Sequence, residues 1–202
     1  MIIGPGCESI AVRILEHFGE VIMIVNDYDS LMQSKMKLKD KEQIKIKMMD
    51  YAHTDFGQDY FDLIYAQFSL SVPERKEIIK EIKRILKTDG VFCTGEIVSL
   101  KEPVPAFVKD IWERSGLEPL PSTGIINYFA GKGFMIISEQ DLSHTLKDFY
   151  QNIRNTVANT RKKEKEENKK FYSEIKHESD VFLKLGGDKY MGFTSLIMSK
   201  TN

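Results

Sequence analysis

The chain has 202 residues and a mass of 23.3 kDa, enough for one domain with a sizeable core. Hydrophobic residues make up 42% and charged residues 29%, and a net charge of −1 supplies no global attraction to nucleic acid or to an anionic membrane. Two cysteines at no metal-ligand spacing, Cys7 and Cys93, argue against a disulfide framework and a zinc site. With no apolar run near the ~18 residues of a membrane span and no basic leader, a cytoplasmic protein is expected.

The opening "MIIG" reads as a short buried strand that turns at Gly4 and Gly6 into a helix, "CESIAVRILEHFG", stopped by Gly19. "EVIMIV" is a continuous apolar run of the kind buried on both faces. After it, Asp29 is expected to cap a Met-rich helix running to about Leu38, leaving Asp27 for a ligand. "QIKIKMM" alternates and leads to Asp50, giving a third strand, and "YFDLIYAQ" gives a fourth. "PERKEIIKEIKRILKTDG" carries Ile78, Ile79, Ile82, Ile85 and Leu86 on one face and is expected to stay helical to Asp89 and Gly90, where "VFCTGEIV" begins a fifth strand. Strands alternating with helices in this way predict βαβ crossovers and an α/β, Rossmann-like, doubly wound, mostly parallel sheet.

The second half differs in grain. "PVPAFVKDIWERSG" and "STGIINYFAGKG" read as short helices, the second capped by Ser122, ahead of the strand "FMIISEQ". A long, broken helical region follows, closed by Gly186 and Gly187, and "YMGFTSLIMSK" is the last strand; periodicity leaves open whether it lies antiparallel at the sheet edge. The run "RKKEKEENKK" interleaves acids with bases and has no aromatic residue, which reads as a solvated helix face. A composition shift near Leu100 divides a single domain, 1–202, into a cofactor half, 1–97, and a substrate and cover half, 98–202.

Backbone amides at a Gly-rich turn suit an anionic group, and an acid after the next strand suits ribose hydroxyls. Gly4 and Gly6 supply the first feature and Asp27 the second. Taken alone, "GPGCES" also fits a dinucleotide fingerprint with Ser9 as the third small residue, which keeps NAD open.

The ordered set of a Gly turn, an acid after strand two, Asp50 after strand three, the Phe61-Asp62 pair before strand four and "RILKTDG" before strand five resembles the class I S-adenosylmethionine-dependent methyltransferases. The resemblance spans residues 1 to about 97. It implies a seven-stranded methyltransferase-type sheet with an added helical cover and S-adenosylmethionine as cofactor. Residue by residue, it places Gly4 and Gly6 under the methionine moiety, Asp27 on the ribose, Asp50 near the adenine amino group, and Tyr28 and Tyr51 beside the adenine, with Gln67 at the end of strand four. Two departures stand out: Ile2 occupies the place of an acid, and Glu8 that of a third glycine. Glu8 is therefore a candidate to supply the missing charge.

No residue is assigned as catalytic, because transfer from a sulfonium releases a neutral leaving group and demands alignment more than an acid or base. "YAQFSLS" lacks the Asn/Asp-Pro-Pro-aromatic signature of base methylation, so the expected acceptor is a small molecule, with no nucleic acid, membrane or metal involved. With no segment ahead of the first strand, the cover is expected from the second half, or from a second copy or partner chain. Phe68, Trp112, Tyr128, Phe149 and Tyr150 are the expected walls of the acceptor pocket, although an aromatic stripe at helical spacing is more often plain core. The alternative function is a methyltransferase-fold binding or partner protein without methyl transfer, which Ile2 and Glu8 favour. An NAD-dependent oxidoreductase lacks a discernible hydride-transfer site.

Overall fold

The computed structural model describes residues 1–160 and 169–201. Eight strands form one sheet in the order β3-β2-β1-β4-β5-β8-β7, with β6 pairing beside β5. The strands are β1 (Ile2–Ile3), β2 (Val21–Val25), β3 (Ile44–Met48), β4 (Phe61–Gln67), β5 (Leu86–Ser99), β6 (Leu120–Pro121), β7 (Phe134–Asp141) and β8 (Met191–Lys200). The β1–β2, β1–β4, β2–β3 and β4–β5 pairs are all parallel. Such pairs need crossover helices, supplied by α1 (Glu8–Leu15), α2 (Tyr28–Lys37) and α3 (Arg75–Ile85). β8 is reversed. The Leu142 amide donates to the Phe193 carbonyl at the end of β7, and the Thr201 amide to the Gly133 carbonyl at its start, so β7 and β8 run antiparallel. β8 lies between β5 and β7, and β7 rather than β8 is the edge strand.

The chain forms two compact units. The first comprises residues 1–96, 126–139 and 195–202. Its centre is β2, all five of whose residues are buried, as expected of a strand covered on both faces. Ile2, Met23 and Val25 pack there with Ala11 of α1. α3 lays Ile78, Ile79, Ile82 and Ile85 against the sheet, each such burial contributing ~1.5–3 kcal/mol.

α3 ends at Ile85, earlier than the sequence pattern predicts. Leu86 adopts an extended conformation, and the Lys-Thr-Asp-Gly stretch is strand rather than helix end. A register shift between Phe61 and Leu63 absorbs it, Phe61 pairing with Leu86 and Leu63 with Val91. Gly90 is needed at the bulge, since a Cβ there would meet the Leu86 side chain at 2.7 Å and the Lys87 carbonyl at 2.9 Å. Residues 126–130 of the helix α5 (Ile125–Ala130) also belong to this unit, and Phe129 packs edge to face with Phe92 and Phe134.

The second unit comprises residues 97–125 and 140–194. It contains α4 (Ala106–Arg114), α6 (Thr145–Thr160) and α7 (Lys169–Lys184). Its core joins Val108, Ile111 and Trp112 to Leu146, Tyr150, Val181 and Phe182. Of the "RKKEKEENKK" run, residues 161–168 lie outside the described residues. Among the described residues, no helix is long and apolar enough to cross a membrane.

Candidate functional site

Strand order reverses at β1: α1 and α2 carry the chain from β1 out to β3 on one side, and the return to β4 places it on the other. At such a reversal the connections diverge beyond the carboxyl ends of the strands and leave a crevice. The first unit has a cleft of about 650 Å3 at this place. Pro5 comes from the turn after β1, Asn26 from the end of β2, Asp50 and Tyr51 from beyond β3, and Gln67, Phe68 and Ser69 from the end of β4.

The Gly turn is shaped for close approach. Gly4 has φ +96, and a Cβ on it would fall 2.6 Å from Ser69 Oγ. That hydroxyl donates to the Ile3 carbonyl at 3.2 Å and the Gln67 carbonyl at 3.0 Å, tying the β1 turn to the β4 loop. Gly6 has φ +83 with open space around it, so backbone conformation alone calls for glycine there.

Asp50 accepts from the Ala52 amide at 2.8 Å and lies 3.3 Å from His53 Nδ1. These contacts hold its carboxyl below the usual range and leave it ionised at neutral pH. The Tyr51 hydroxyl donates to Asn26 Oδ1 at 3.4 Å, and burial raises its pKa to about 12. Gln67 accepts from the Tyr65 hydroxyl at 2.6 Å through its amide oxygen, which orients its amide nitrogen as a donor. Phe68 has φ +55, a left-handed conformation that costs a bulky residue ~1–2 kcal/mol. Its amide donates to the Gly95 carbonyl at 2.9 Å, and its ring stays 38% exposed beside the cleft.

Two buried carboxylates absent from the sequence reading set these walls. Glu81 Oε1 on α3 accepts from the Thr54 amide at 2.9 Å and from Arg84 Nη2 at 2.6 Å, and Arg84 also donates to the Phe56 carbonyl at 2.8 Å. The loop carrying Asp50 and Tyr51 is thus pinned to α3. Glu96 on β5 accepts from the Leu70 amide at 3.2 Å, Ser71 Oγ at 2.9 Å and Thr94 Oγ1 at 2.8 Å, and Arg75 donates to the Leu70 carbonyl. The loop carrying Phe68 and Ser69 is thus pinned to β5. Complete burial pushes the Glu96 carboxyl up to about 7 against the pull of these hydrogen bonds. The signal in sequence is a lone acid inside an apolar pattern, "KEIKRI" for Glu81 and "CTGEIV" for Glu96.

Several expected site residues are placed elsewhere. Glu8 is buried and accepts from Ser34 Oγ at 2.8 Å and Lys37 Nζ at 3.2 Å. Burial raises its pKa, but the Ser34 and Lys37 hydrogen bonds outweigh that and leave it lowered. Its carboxylate is therefore engaged by α2 and does not line the cleft. Asp27, not Asp29, is the cap of α2, its Oδ1 accepting from the Ser30 amide at 2.8 Å. β2 ends at Val25, so Asn26 rather than Asp27 faces the cleft. Tyr28 is 62% exposed on the first turn of α2 and does not line the cleft.

Among the expected acceptor walls, Phe68 is at the cleft. Tyr128 on α5 is engaged instead with two cations, Arg75 at 5.7 Å and Lys132 at 5.4 Å from its ring centre. Trp112 and Tyr150 are core residues of the second unit. Tyr150 stacks on Phe182 with centroids 4.5 Å apart and donates to Glu178 at 2.8 Å, a packing role for an aromatic stripe. Phe149 is 44% exposed on α6, its ring edge-on to Tyr150. Among the described residues, no group of three or more His, Cys, Asp or Glu side chains is arranged to hold a metal ion.

Comparison with known proteins agrees with this geometry. Residues 2–94 match the family model described as a methyltransferase domain. A demethylmenaquinone methyltransferase from Lactobacillus johnsonii is 31% identical over 74 residues, a stretch covering 36% of this chain and only 29% of that protein. A solved structure described as a putative sarcosine dimethylglycine methyltransferase from Galdieria sulphuraria superposes with a TM-score of 0.82 at 14% identity, covering 99% of this chain and 77% of that one. A phosphoethanolamine N-methyltransferase from Haemonchus contortus, solved with S-adenosylhomocysteine, gives 0.82 at 14% identity, covering 100% of this chain and 48% of that one. The fold is the one these solved methyltransferases share, and residues 2–94 match the methyltransferase-domain model.

Proposed function

We propose that the protein is an S-adenosylmethionine-dependent methyltransferase acting on a small-molecule acceptor. The observation that carries this reading is the convergence of four successive strand ends on one cleft of about 650 Å3, with Asp50 and Tyr51 on the side of β3 and Gln67 and Phe68 at the end of β4. In this assignment the turn at Gly4, Pro5 and Gly6 receives the methionine moiety, and Asn26 with neighbouring Asp27 receives the ribose. Asp50 accepts from the adenine amino group while the Tyr51 ring packs on the base. The amide of Gln67 and the ring of Phe68 then face the methyl group, where positioning of the acceptor supplies most of the rate. Two free cysteines, Cys7 and Cys93, both raised in pKa by burial, fit a cytoplasmic setting.

A second reading, a binding or partner protein that does not transfer methyl groups, is favoured by one observation: the only extra acid at the Gly turn, Glu8, is taken up by Ser34 and Lys37. Calorimetric titration tests the cofactor, and turnover of S-adenosylmethionine to S-adenosylhomocysteine separates transfer from binding alone. The proposal expects S-adenosylhomocysteine to bind and NADH to give no heat. A protein that ignores S-adenosylhomocysteine, or that prefers NADH, overturns it.

A further inference from the structure

The first unit contains a second cavity, of about 690 Å3, that shares no residue with the cleft. It opens at the other end of the sheet, since Lys200, one of its lining residues, donates to the carbonyl of Leu86 at the start of β5 at 2.9 Å. Its walls are strongly cationic. Lys76, Lys80 and Lys83 come from α3, Lys132 from the turn before β7, and Arg84 and Lys200 complete the set. Arg84 is spent on Glu81 and Lys200 on Asp59. Among the described residues, Lys76, Lys80, Lys83 and Lys132 form no ion pair, and Glu77 is the one carboxylate beside them in the lining.

Lys76 and Lys80 are exposed on α3, whereas the other two are more enclosed. Lys83 and Lys132 are half-buried, and Gly133, at φ +83, leaves free the space that the Lys83 ammonium occupies, where a Cβ would overlap it. Lys132 is further braced over the Tyr128 ring. Three separate chain segments therefore bring like charges together in one concavity of a protein whose net charge is −1. Positions 76, 80 and 83 lie on one stripe of α3, and at 1.5 Å per residue it extends ~10 Å. One phosphate is met by one or two ammonium groups, whereas a stripe of this length, faced by Lys132, suits a chain of phosphates. The cavity's volume is that of a small-ligand site.

We infer that this cavity binds a small molecule carrying two or more linked phosphates, at a site separate from the cleft. Calorimetry with inorganic tripolyphosphate, pyrophosphate and phosphate in low-salt buffer tests it. Tripolyphosphate is expected to bind at least tenfold more tightly than phosphate. The double variant K80Q/K83Q, checked for native circular dichroism, is expected to lose at least tenfold in tripolyphosphate affinity with an unchanged S-adenosylhomocysteine isotherm. Equal affinity for phosphate and tripolyphosphate, an unaffected double variant, or competition between tripolyphosphate and S-adenosylhomocysteine overturns the inference. So does a single-stranded oligonucleotide that displaces tripolyphosphate through the same lysines at much lower concentration, which would assign the surface to a nucleic-acid backbone. Tripolyphosphate is measured alone, so a failure of the cofactor assignment leaves the result readable.

Discussion

Glu96→Gln gives the sharpest test of how the cleft is held. Glu96 is 3% exposed, and burial raises its carboxyl to about 7 from an ordinary 4.5. Between those values the unfolded chain gives up the proton while the folded chain keeps it, so folding weakens as pH rises. Stability contributed by the protonated form is fully present below 4.5 and is lost as pH rises through 7. At roughly 1.4 kcal/mol per pKa unit, the two titrations imply a loss on the order of 2–3 kcal/mol between pH 5 and pH 8. Glutamine has the same shape, accepts from the Leu70 amide and Ser71 through its oxygen, donates to Thr94, and never ionises. Carboxylates held low, such as Asp50 and Glu81, titrate alike in both proteins, so the difference between wild type and variant isolates Glu96. Urea unfolding followed by circular dichroism at a series of pH values measures it. The variant is expected to gain on the order of 2–3 kcal/mol relative to wild type on going from pH 5 to pH 8. A difference that stays constant across that range refutes the argument that burial outweighs the hydrogen bonds at this carboxyl.

Two further substitutions probe the cleft's edges. Gly4→Ala places a Cβ 2.6 Å from Ser69 Oγ at φ +96, and is expected to cost ~1–3 kcal/mol in urea unfolding, with weaker S-adenosylhomocysteine binding; a wild-type midpoint would mean the turn relaxes freely. Asp27→Asn keeps a good cap for α2 while removing the charge. Affinity for S-adenosylhomocysteine is expected to fall severalfold at unchanged stability, through loss of a charged acceptor for a ribose hydroxyl; unchanged affinity leaves the contact to Asn26.

Legibility in the sequence follows the range of the interaction concerned. The apolar run "VIMIV" and the isoleucine stripe of α3 are local patterns, and both bury the faces read for them, because burial on two faces or on one needs no knowledge of the partner. The α3 to β5 boundary misleads because "LKTDG" is locally a good helix end, while the bulge opposite Phe61 and Leu63 pulls it into the sheet. Trp112 and Tyr150 mislead for a related reason: helical spacing states that a face is apolar without saying whether a ligand or Phe182 covers it. Asp27 sits one residue past the position that lines the cleft, because β2 ends at Val25 and gives that place to Asn26.

The two carboxylates that hold the cleft walls are the deepest case. An acid inside an apolar run is visible in sequence, and burying it unpartnered costs several kcal/mol, so a partner is required. Glu81 pairs locally with Arg84 and Glu96 with Thr94, but their contacts to Thr54, 27 residues away, and Leu70, 26 residues away, are implied by no local pattern. Each of these longer bonds runs from α3 or β5 to a loop beyond the carboxyl end of another strand. These loops carry Asp50 and Tyr51 on one side of the cleft and Phe68 and Ser69 on the other. Short β1 and the glycines at its end leave the floor of the cleft open to a ligand, and rigidity must come from its walls. Glu81 and Glu96 supply it, which is why the sequence tolerates the cost of two buried acids in a domain of this size.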